Sequence, residues 1–126
     1  MIRRPTLKTL APSLVAVLVA LIGAAGAWAI EAQRMDPERD ATLTRPPQHL
    51  RVFFDVLPDP AKSQLTLAGP EGELQLEGIH TMGENDLMIR IVGRVADGEY
   101  TAHWKAVGTD GSTSEGEWKF TVKRGG

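Results

Sequence analysis

The fold is decided by two stretches near the C-terminus, GEYTAHWKAV at residues 98–107 and EWKFTVK at residues 117–123. In both, aromatic, apolar or small residues alternate with polar ones, and a period of two puts successive side chains on opposite faces of a β-strand. Each strand is therefore predicted to have one buried and one solvent-facing side. We expect Trp104 in the core, and Trp118 either in the core or partly exposed at a sheet edge. The residues predicted to face inward are Tyr100, Ala102, Trp104, Ala106, Trp118, Phe120 and Val122.

Four segments upstream, each of seven residues, show the same alternation and are also predicted to be strands. They span residues 50–56, 63–69, 73–79 and 87–93. Segments rich in Gly, Pro, Asn and Asp separate them, and loops are expected at residues 82–86 and 108–116. Six or seven short strands without a helical pattern are typical of a small immunoglobulin-like β-sandwich, so the predicted fold class is all-β.

Residues 1–29 are predicted to be a signal peptide or a membrane anchor that forms a hydrophobic helix before the domain. Three basic residues, Arg3, Arg4 and Lys8, precede a long stretch without charged side chains, which ends in the small residues of AAGAWA. This layout is typical of a secretory signal peptide. The uncharged stretch is also just long enough to span a bilayer, which takes about 20 residues. Both interpretations predict a periplasmic location, and the second anchors the protein to the inner membrane.

The rest of the chain divides into a linker and a domain. Residues 30–46 are polar, charged and proline-bearing, so they are predicted to be a linker. Residues 47–124 contain the predicted strands and are expected to form the β-sandwich.

Composition excludes several classes of function. All sixteen acidic residues lie at or after Glu31, whereas three of the fourteen basic residues precede it, so the part from Glu31 onward carries a net charge of −5. Such a domain lacks the basic surface that nucleic-acid binding requires. The absence of cysteine excludes disulfides, thiolate metal sites and cysteine nucleophiles. Since no motif of a hydrolase, zinc enzyme or phosphate-binding loop occurs either, we do not expect an enzyme.

The C-terminal part of the sequence resembles the CopC family of periplasmic copper-binding proteins. The shared features are a DGEY turn at residues 97–100, a Tyr-x-x-x-Trp strand, an Asp-Gly loop at residues 110–111 and a Gly-x-x-x-Phe-x-Val strand. The segment PQHLRVFFD, residues 47–55, is similar to the family's first core strand. The resemblance implies a seven-stranded β-sandwich, copper as the bound metal and a part in copper resistance or homeostasis. It also implies a copper-transport membrane protein as a partner.

The family's Cu(II) site, as the resemblance implies it, uses the amine and imidazole of an N-terminal His together with an Asp and a His of a DGH loop. Asp110 and Gly111 match this loop, but Ser112 stands at the position of the His. Cleavage of a signal peptide would expose no N-terminal His, and residues 40–43, DATL, have Asp where the family's opening HAxL has His. We therefore expect the usual Cu(II) site to be lost or rebuilt, with Asp110 as the candidate ligand that remains.

A second candidate metal group consists of His80 and Met82, with Met88 nearby in the sequence. Thioether sulfur and imidazole nitrogen suit Cu(I), and some members of the family carry a Met/His Cu(I) site on a loop in the middle of the domain. The alternative is that the methionines are packing residues and His80 is an ordinary surface histidine, as we expect for His49 and His103.

These observations predict two alternative functions of different classes. The first is a periplasmic copper-binding protein with an altered or Cu(I)-only site. The second is a metal-free immunoglobulin-like module that binds a protein partner through a strand edge or a loop, beside a membrane component.

Overall fold

Nine β-strands and no helix form the part of the chain that the computed structural model describes, residues 29–125. The predicted all-β class is confirmed. The number of strands exceeds the prediction because three strands are too short or too polar to show an alternating pattern. In chain order the strands are β1 (Ala32–Asp36), β2 (Thr42–Leu43), β3 (His49–Phe54), β4 (Gln64–Gly69), β5 (Gly72–Glu73), β6 (Leu76–His80), β7 (Asp86–Ile91), β8 (Gly98–Val107) and β9 (Thr113–Val122).

The strands form two sheets that enclose one core. The four-stranded sheet has the order β1-β3-β7-β6, and the five-stranded sheet has the order β2-β9-β8-β4-β5. Neighbouring strands are antiparallel except for β2 and β9, which run parallel. The longest pairing joins β8 to β9, from Gly98 opposite Val122 to Val107 opposite Thr113. The two stretches that predicted the fold therefore form the long hairpin at the centre of the larger sheet.

The core lies between the sheets, and aromatic residues of β8 and β9 dominate it. The rings of Tyr100 and Phe120 stack with centroids 5.5 Å apart, and those of Trp104 and Trp118 lie 6.0 Å apart. Trp118 is 1% exposed, and its indole N–H donates a hydrogen bond to the carbonyl oxygen of Pro37 at 2.9 Å. Both tryptophans are core residues, and the alternative of a partly exposed Trp118 is wrong. Truncating one such ring costs about 3–5 kcal/mol, so this cluster matters greatly in a domain without disulfides.

The segment predicted to be a linker, residues 30–46, contains two strands of the sandwich instead. β1 pairs with β3 and β2 pairs with β9, while Ile30 and Met35 belong to the hydrophobic core. The prediction failed because β1 is an edge strand that buries a single side chain fully, that of Met35. Its sequence, AQRMD, therefore lacks the apolar alternation that marks a half-buried strand.

The ends of the hairpin also differ from the prediction. The loop expected at residues 108–116 is confined to residues 108–112, because β9 begins at Thr113. The predicted signal peptide or membrane anchor lies outside the described residues, apart from its last residue, Ala29. Within residues 29–125 no helix has the length and apolar character needed to cross a membrane.

Candidate metal-binding sites

Asp110 lies in the loop between β8 and β9, where its carboxylate organises a tight turn. Its Oδ1 accepts hydrogen bonds from the hydroxyl of Ser112 at 2.6 Å and from the backbone N–H of the same residue at 3.0 Å. These two hydrogen bonds, the hydroxyl's above all, hold the pKa of Asp110 below its ordinary value. Gly111 between them has a φ of 88°, a conformation that favours glycine. The exposed carboxylate is therefore ionised, but Ser112 already occupies one of its oxygens.

The same loop lines a cavity of about 600 Å³ at one end of the sandwich. The first described residues of the chain also line it, and they are held there because the backbone N–H of Glu31 donates to Oδ1 of Asp55 at 2.8 Å. The fold thus brings the N-terminal end of the domain beside the Asp-Gly loop, the juxtaposition that a copper site of the implied kind requires. The lining residues are Ala29, Ile30, Asp55, Val56, Asp110, Gly111 and Ser112.

The donor atoms in this cavity do not suit Cu(II), which favours imidazole and amine nitrogens in a square arrangement. The side chains that offer donors are the carboxylates of Asp55 and Asp110 and the hydroxyl of Ser112. Each carboxylate already accepts a hydrogen bond from the protein. Across residues 29–125, no cluster of three or more His, Asp or Glu side chains is placed to hold a metal ion. The residues present here therefore do not supply the ligand set that the resemblance implies.

The second predicted group lies where β6 turns into β7. His80 ends β6, and Met88 of β7 stands directly opposite it in the antiparallel register, so the two side chains share one face of the sheet. It is the outer face, because Leu87 and Ile89 on either side of Met88 are buried in the core. Met82 lies on the connecting loop and is 59% exposed. The structure thus places His80 and Met88 side by side, with Met82 on the loop that joins their strands.

The imidazole of His80 is held in one orientation by its own strand. Its Nδ1 lies 2.6 Å from the carbonyl oxygen of Gly78. A neutral ring that donates its Nδ1–H in this way keeps the lone pair on Nε2 for a metal ion. The register shifts between Glu77 and His80, and Gly78 has a φ of 79° within this irregularity. A bulge of this kind changes the direction of the following side chains, so it sets where the imidazole points.

Asp86 organises the loop that carries Met82. Its fully buried carboxylate accepts hydrogen bonds at Oδ1 from the hydroxyl of Thr81 at 2.9 Å, the N–H of Met82 at 3.0 Å and the N–H of Glu84 at 3.1 Å. Its Oδ2 accepts a hydrogen bond from Nε of Arg51 at 2.9 Å. Burial alone would raise the pKa of Asp86, but these hydrogen bonds outweigh it and hold the pKa below its ordinary value.

The role of Asp86 was not predicted, although the residue lies at the end of the loop predicted at residues 82–86. An Asp after a turn is normally a solvated loop residue, and its burial depends on Arg51, which belongs to another strand. The alternation of β7 gives no signal for this burial, because Asp86 shares the outward face of Met88, opposite the buried Leu87 and Ile89.

The other two histidines lie in β3 and β8 and were not predicted to be ligands. His103 lies on the outer face of the five-stranded sheet, where its Nε2 is 3.7 Å from a carboxylate oxygen of Glu115 and about half of its side chain is exposed. His49 begins β3 opposite Arg90. Both residues are partly buried and alternate with fully buried neighbours in their strands, so both side chains lie on outward faces.

Comparisons with known proteins agree with this architecture. The family model described as the CopC domain matches residues 32–123. The chain is similar in structure to CopC from Methylosinus trichosporium OB3b, with a TM-score of 0.69 and 21% sequence identity, over 77% of this chain and 96% of that one. It is also similar to PcoC, a methionine-rich copper resistance protein from Escherichia coli, with a TM-score of 0.68 and 20% identity, over 76% and 100% of the two chains. A comparison with curated protein sequences gives no match.

The fold defines a small immunoglobulin-like β-sandwich, and sequence identities near 20% with the solved structures establish that fold alone. The family model covers most of the sequence, from β1 to the end of β9, and the chain belongs to the CopC family. Because the match begins at residue 32, the first strand of the family domain is β1. The correspondence of residues 40–43 with the family's opening HAxL is therefore wrong, since these residues lie at β2, beside the end of β9.

Proposed function

We propose that this CopC-family chain is a periplasmic, non-enzymatic protein of copper resistance or homeostasis that binds Cu(I) on the outer face of its four-stranded sheet. His80, Met82 and Met88 are the proposed ligands. The observation that carries the proposal is the direct cross-strand position of His80 and Met88, with Met82 exposed on the loop between them.

The chemistry of these three residues supports Cu(I) over Cu(II). One imidazole nitrogen and two thioether sulfurs form a soft donor set, which favours the reduced ion. The carboxylate-rich cavity beside Asp110 has no imidazole among its lining residues. In this proposal Asp110 stabilises the loop that corresponds to the family's Cu(II) loop, and copper binds instead at the β6–β7 turn.

The accessibility of the proposed site suits transfer of copper to another protein. Met82 is largely exposed, and the hydrogen bonds to Asp86 hold its backbone in place without a metal ion. A site that is ordered before binding loses less conformational entropy when the ion arrives. A copper-transport membrane protein, the partner implied by the family resemblance, is the proposed acceptor or donor.

A Cu(I) titration of the full chain under anaerobic, reducing conditions tests this function. We expect binding in competition with a chromophoric Cu(I) chelator, and His80→Ala, Met82→Leu and Met88→Leu each to weaken it at least about tenfold. Leucine keeps the volume of each methionine, so a loss of affinity reports the sulfur and not the packing. His103→Ala and Met35→Leu are the matched controls and should bind like the unmodified chain.

The proposal fails if the full chain binds Cu(I) no more tightly than a protein without His and Met, or if the three substitutions leave the affinity unchanged. A parallel Cu(II) titration, followed by electron paramagnetic resonance, should show no site that depends on Asp110. A Cu(II) signal that Asp110→Ala removes would show instead that the cavity at the end of the sandwich is the copper site.

The second candidate function, a metal-free interaction module, is favoured by a different observation. The larger sheet has an edge that the described strands leave partly uncovered, along the first half of β9. A protein that binds a partner there needs no metal ligand at all.

A further inference from the structure

The outer edge of β9 is covered along only part of its length. The parallel strand β2 pairs with Thr121 and Val122 at the end of β9. In the middle, the carbonyl oxygen of Lys119 accepts a hydrogen bond from the N–H of Asp40 at 2.7 Å, and that of Glu117 accepts one from Nη1 of Arg39 at 3.3 Å. Among residues 29–125, no strand pairs with the outer side of β9 from residue 113 to residue 116, whereas β8 pairs with its inner side.

The backbone of this segment is oriented to pair with another strand. Lys119 accepts from Asp40 on the outer side of β9, and Thr121 donates to Ala41 on that same side. Since alternate residues of a strand direct their backbone groups to the same side, Thr113 and Glu115 present their N–H and C=O groups outward. These are the groups that hydrogen-bond an added strand.

A small cavity of about 250 Å³ lies next to this edge, and Trp104 and Ser114 line it together with Met35 and Arg39. Trp104 is 7% exposed. Its indole N–H and the hydroxyl of Ser114 are the two buried side-chain polar groups without a hydrogen-bond partner in the described part of the chain. A buried donor without an acceptor is costly, so both groups would gain from a ligand that brings an acceptor into the cavity.

Gly116 is the residue of the edge strand β9 that lies against the ring of Trp104. It stands directly opposite Trp104 in the β8–β9 register, and a Cβ atom at this position would collide with the indole ring. The ring therefore lies against the bare backbone of the edge strand. A side chain from a strand added beside β9 would thus meet Trp104 without an intervening side chain.

The charges around the edge select the kind of partner. Glu31 and Glu115 line the cavity, and Glu117 is the next residue on the same face of β9 as Glu115; all three are exposed. Among the described residues, Arg39 is the one basic residue that lines the cavity, so the three carboxylates outnumber it. The chain from Glu31 onward carries a net charge of −5, so a basic segment is attracted and an acidic one is repelled.

We propose that the edge of β9 from Thr113 to Glu117 binds an extended, basic peptide segment of a partner protein, which adds a strand to the five-stranded sheet. One side chain of that segment carries a hydrogen-bond acceptor and enters the cavity to meet Trp104 and Ser114. This interaction goes beyond the proposed copper function and does not depend on it, because none of its residues belongs to the His80 group.

Nuclear magnetic resonance of the full chain in detergent tests the proposal with the peptide acetyl-Val-Lys-Asn-Lys-Val-amide. In an extended conformation its Asn faces the cavity while both Lys residues face the Glu115 side. We expect the indole N–H resonance of Trp104 to shift downfield, and the amide resonances of Thr113, Glu115 and Glu117 to shift with it. A peptide with Glu in place of Lys should bind at least about tenfold more weakly.

Substitutions at Glu115 distinguish backbone pairing at the β9 edge from attraction by the surrounding carboxylates. Glu115→Pro removes one outward N–H, and proline is tolerated on the open side of an edge strand; it should weaken binding about five- to tenfold relative to Glu115→Gln. Ser114→Ala should weaken binding of the Asn peptide but not of a peptide with Val in place of Asn.

The proposal is overturned if Glu115→Pro binds the peptide as tightly as Glu115→Gln does, or if the indole N–H resonance of Trp104 does not shift when the peptide is added. It is also overturned if the indole N–H of Trp104 shows nuclear Overhauser contacts with residues 1–28 in the free chain, since the chain's own N-terminal segment then fills the cavity.

Discussion

Replacing Asp86 by Asn is the sharpest test of how the β6–β7 turn is built. The carboxylate is fully buried at the start of β7 and accepts four hydrogen bonds, from Thr81, Met82, Glu84 and Arg51. Asparagine has the same size, so packing is retained. Its amide has one oxygen instead of two, and it presents an NH₂ group to donors that need an acceptor. It also leaves the guanidinium of Arg51 without its buried counter-charge.

The size of the effect follows from these contacts. Hydrogen bonds to a charged group contribute about 1.5–3 kcal/mol each, and breaking a buried ion pair from one side costs about 3–5 kcal/mol. The side chain of Arg51 is 23% exposed and that of Glu84 is 67% exposed, so water can replace part of what is lost. We therefore expect Asp86→Asn to reduce the free energy of unfolding by about 2 kcal/mol and Asp86→Ala by about 3–4 kcal/mol. For a domain of this size, 2 kcal/mol corresponds to a decrease in Tm of roughly 10 °C.

The pH dependence of the free energy of unfolding provides a second, independent test. Because the pKa of Asp86 is lowered in the folded state, its contribution to stability is complete above the ordinary pKa of an aspartate, about 3.9. The contribution is lost as the pH falls through the lower pKa of the folded state. Urea unfolding followed by tryptophan fluorescence at pH 7 should therefore separate the unmodified chain from Asp86→Asn. As the pH falls below the ordinary pKa of an aspartate and through the lower pKa of the folded state, the difference between them should shrink.

Asp97→Asn is the matched control. Asp97 forms an exposed ion pair with Arg124 at 2.8 Å, and such pairs contribute about 0–1 kcal/mol. If Asp86→Asn is no less stable than Asp97→Asn at pH 7, the carboxylate of Asp86 does not hold the turn. If the two differ by the same amount at every pH, the effect comes from shape and not from ionisation.

Two further substitutions test the aromatic core, with thermal unfolding as the measurement in both cases. Gly116→Ala places a methyl group against the indole ring of Trp104 and should destabilise the domain by about 1–3 kcal/mol; an unchanged Tm would mean that the ring does not lie on the β9 backbone. Tyr100→Phe removes the hydrogen bond that the phenol donates to the carbonyl oxygen of Ala96 at 2.5 Å and should cost about 1 kcal/mol. Thr101→Val, on the opposite face of the same strand, should cost less, and the reverse order would contradict the structure.

The sequence predicted those parts of the fold in which one strand carries a complete alternating pattern. In β8 and β9 the inward residues are large and the outward residues are polar, so two faces could be assigned before any partner strand was known. β1 could not be recognised, because at the edge of the sheet only Met35 is fully buried. Its position is set by backbone pairing with β3, and backbone hydrogen bonds leave no trace in the side-chain pattern.

The candidate sites were predictable to a smaller extent, since residue types can be read from the sequence but their contacts cannot. The proximity of His80 to Met88 depends on the register of β6 against β7, which an irregularity between Glu77 and His80 alters. A shift of one residue in that register would send one of the two side chains to the opposite face of the sheet. The burial of Asp86 depends equally on the position of Arg51 in β3.

The two candidate copper positions differ in what the fold requires of them. At the Asp110 end, the hydrogen bonds from Ser112 satisfy one carboxylate oxygen, and Glu31 is tied to Asp55, so the loop is stable without a metal ion. At the β6–β7 turn, Asp86 forms the loop through the backbone of Met82, while the sulfur of Met82 and the Nε2 of His80 take part in none of those bonds. Side chains that the fold does not need are free to serve a ligand. The titration of the His80 and Met82 variants, and not the likeness of the fold, therefore decides whether this domain binds copper.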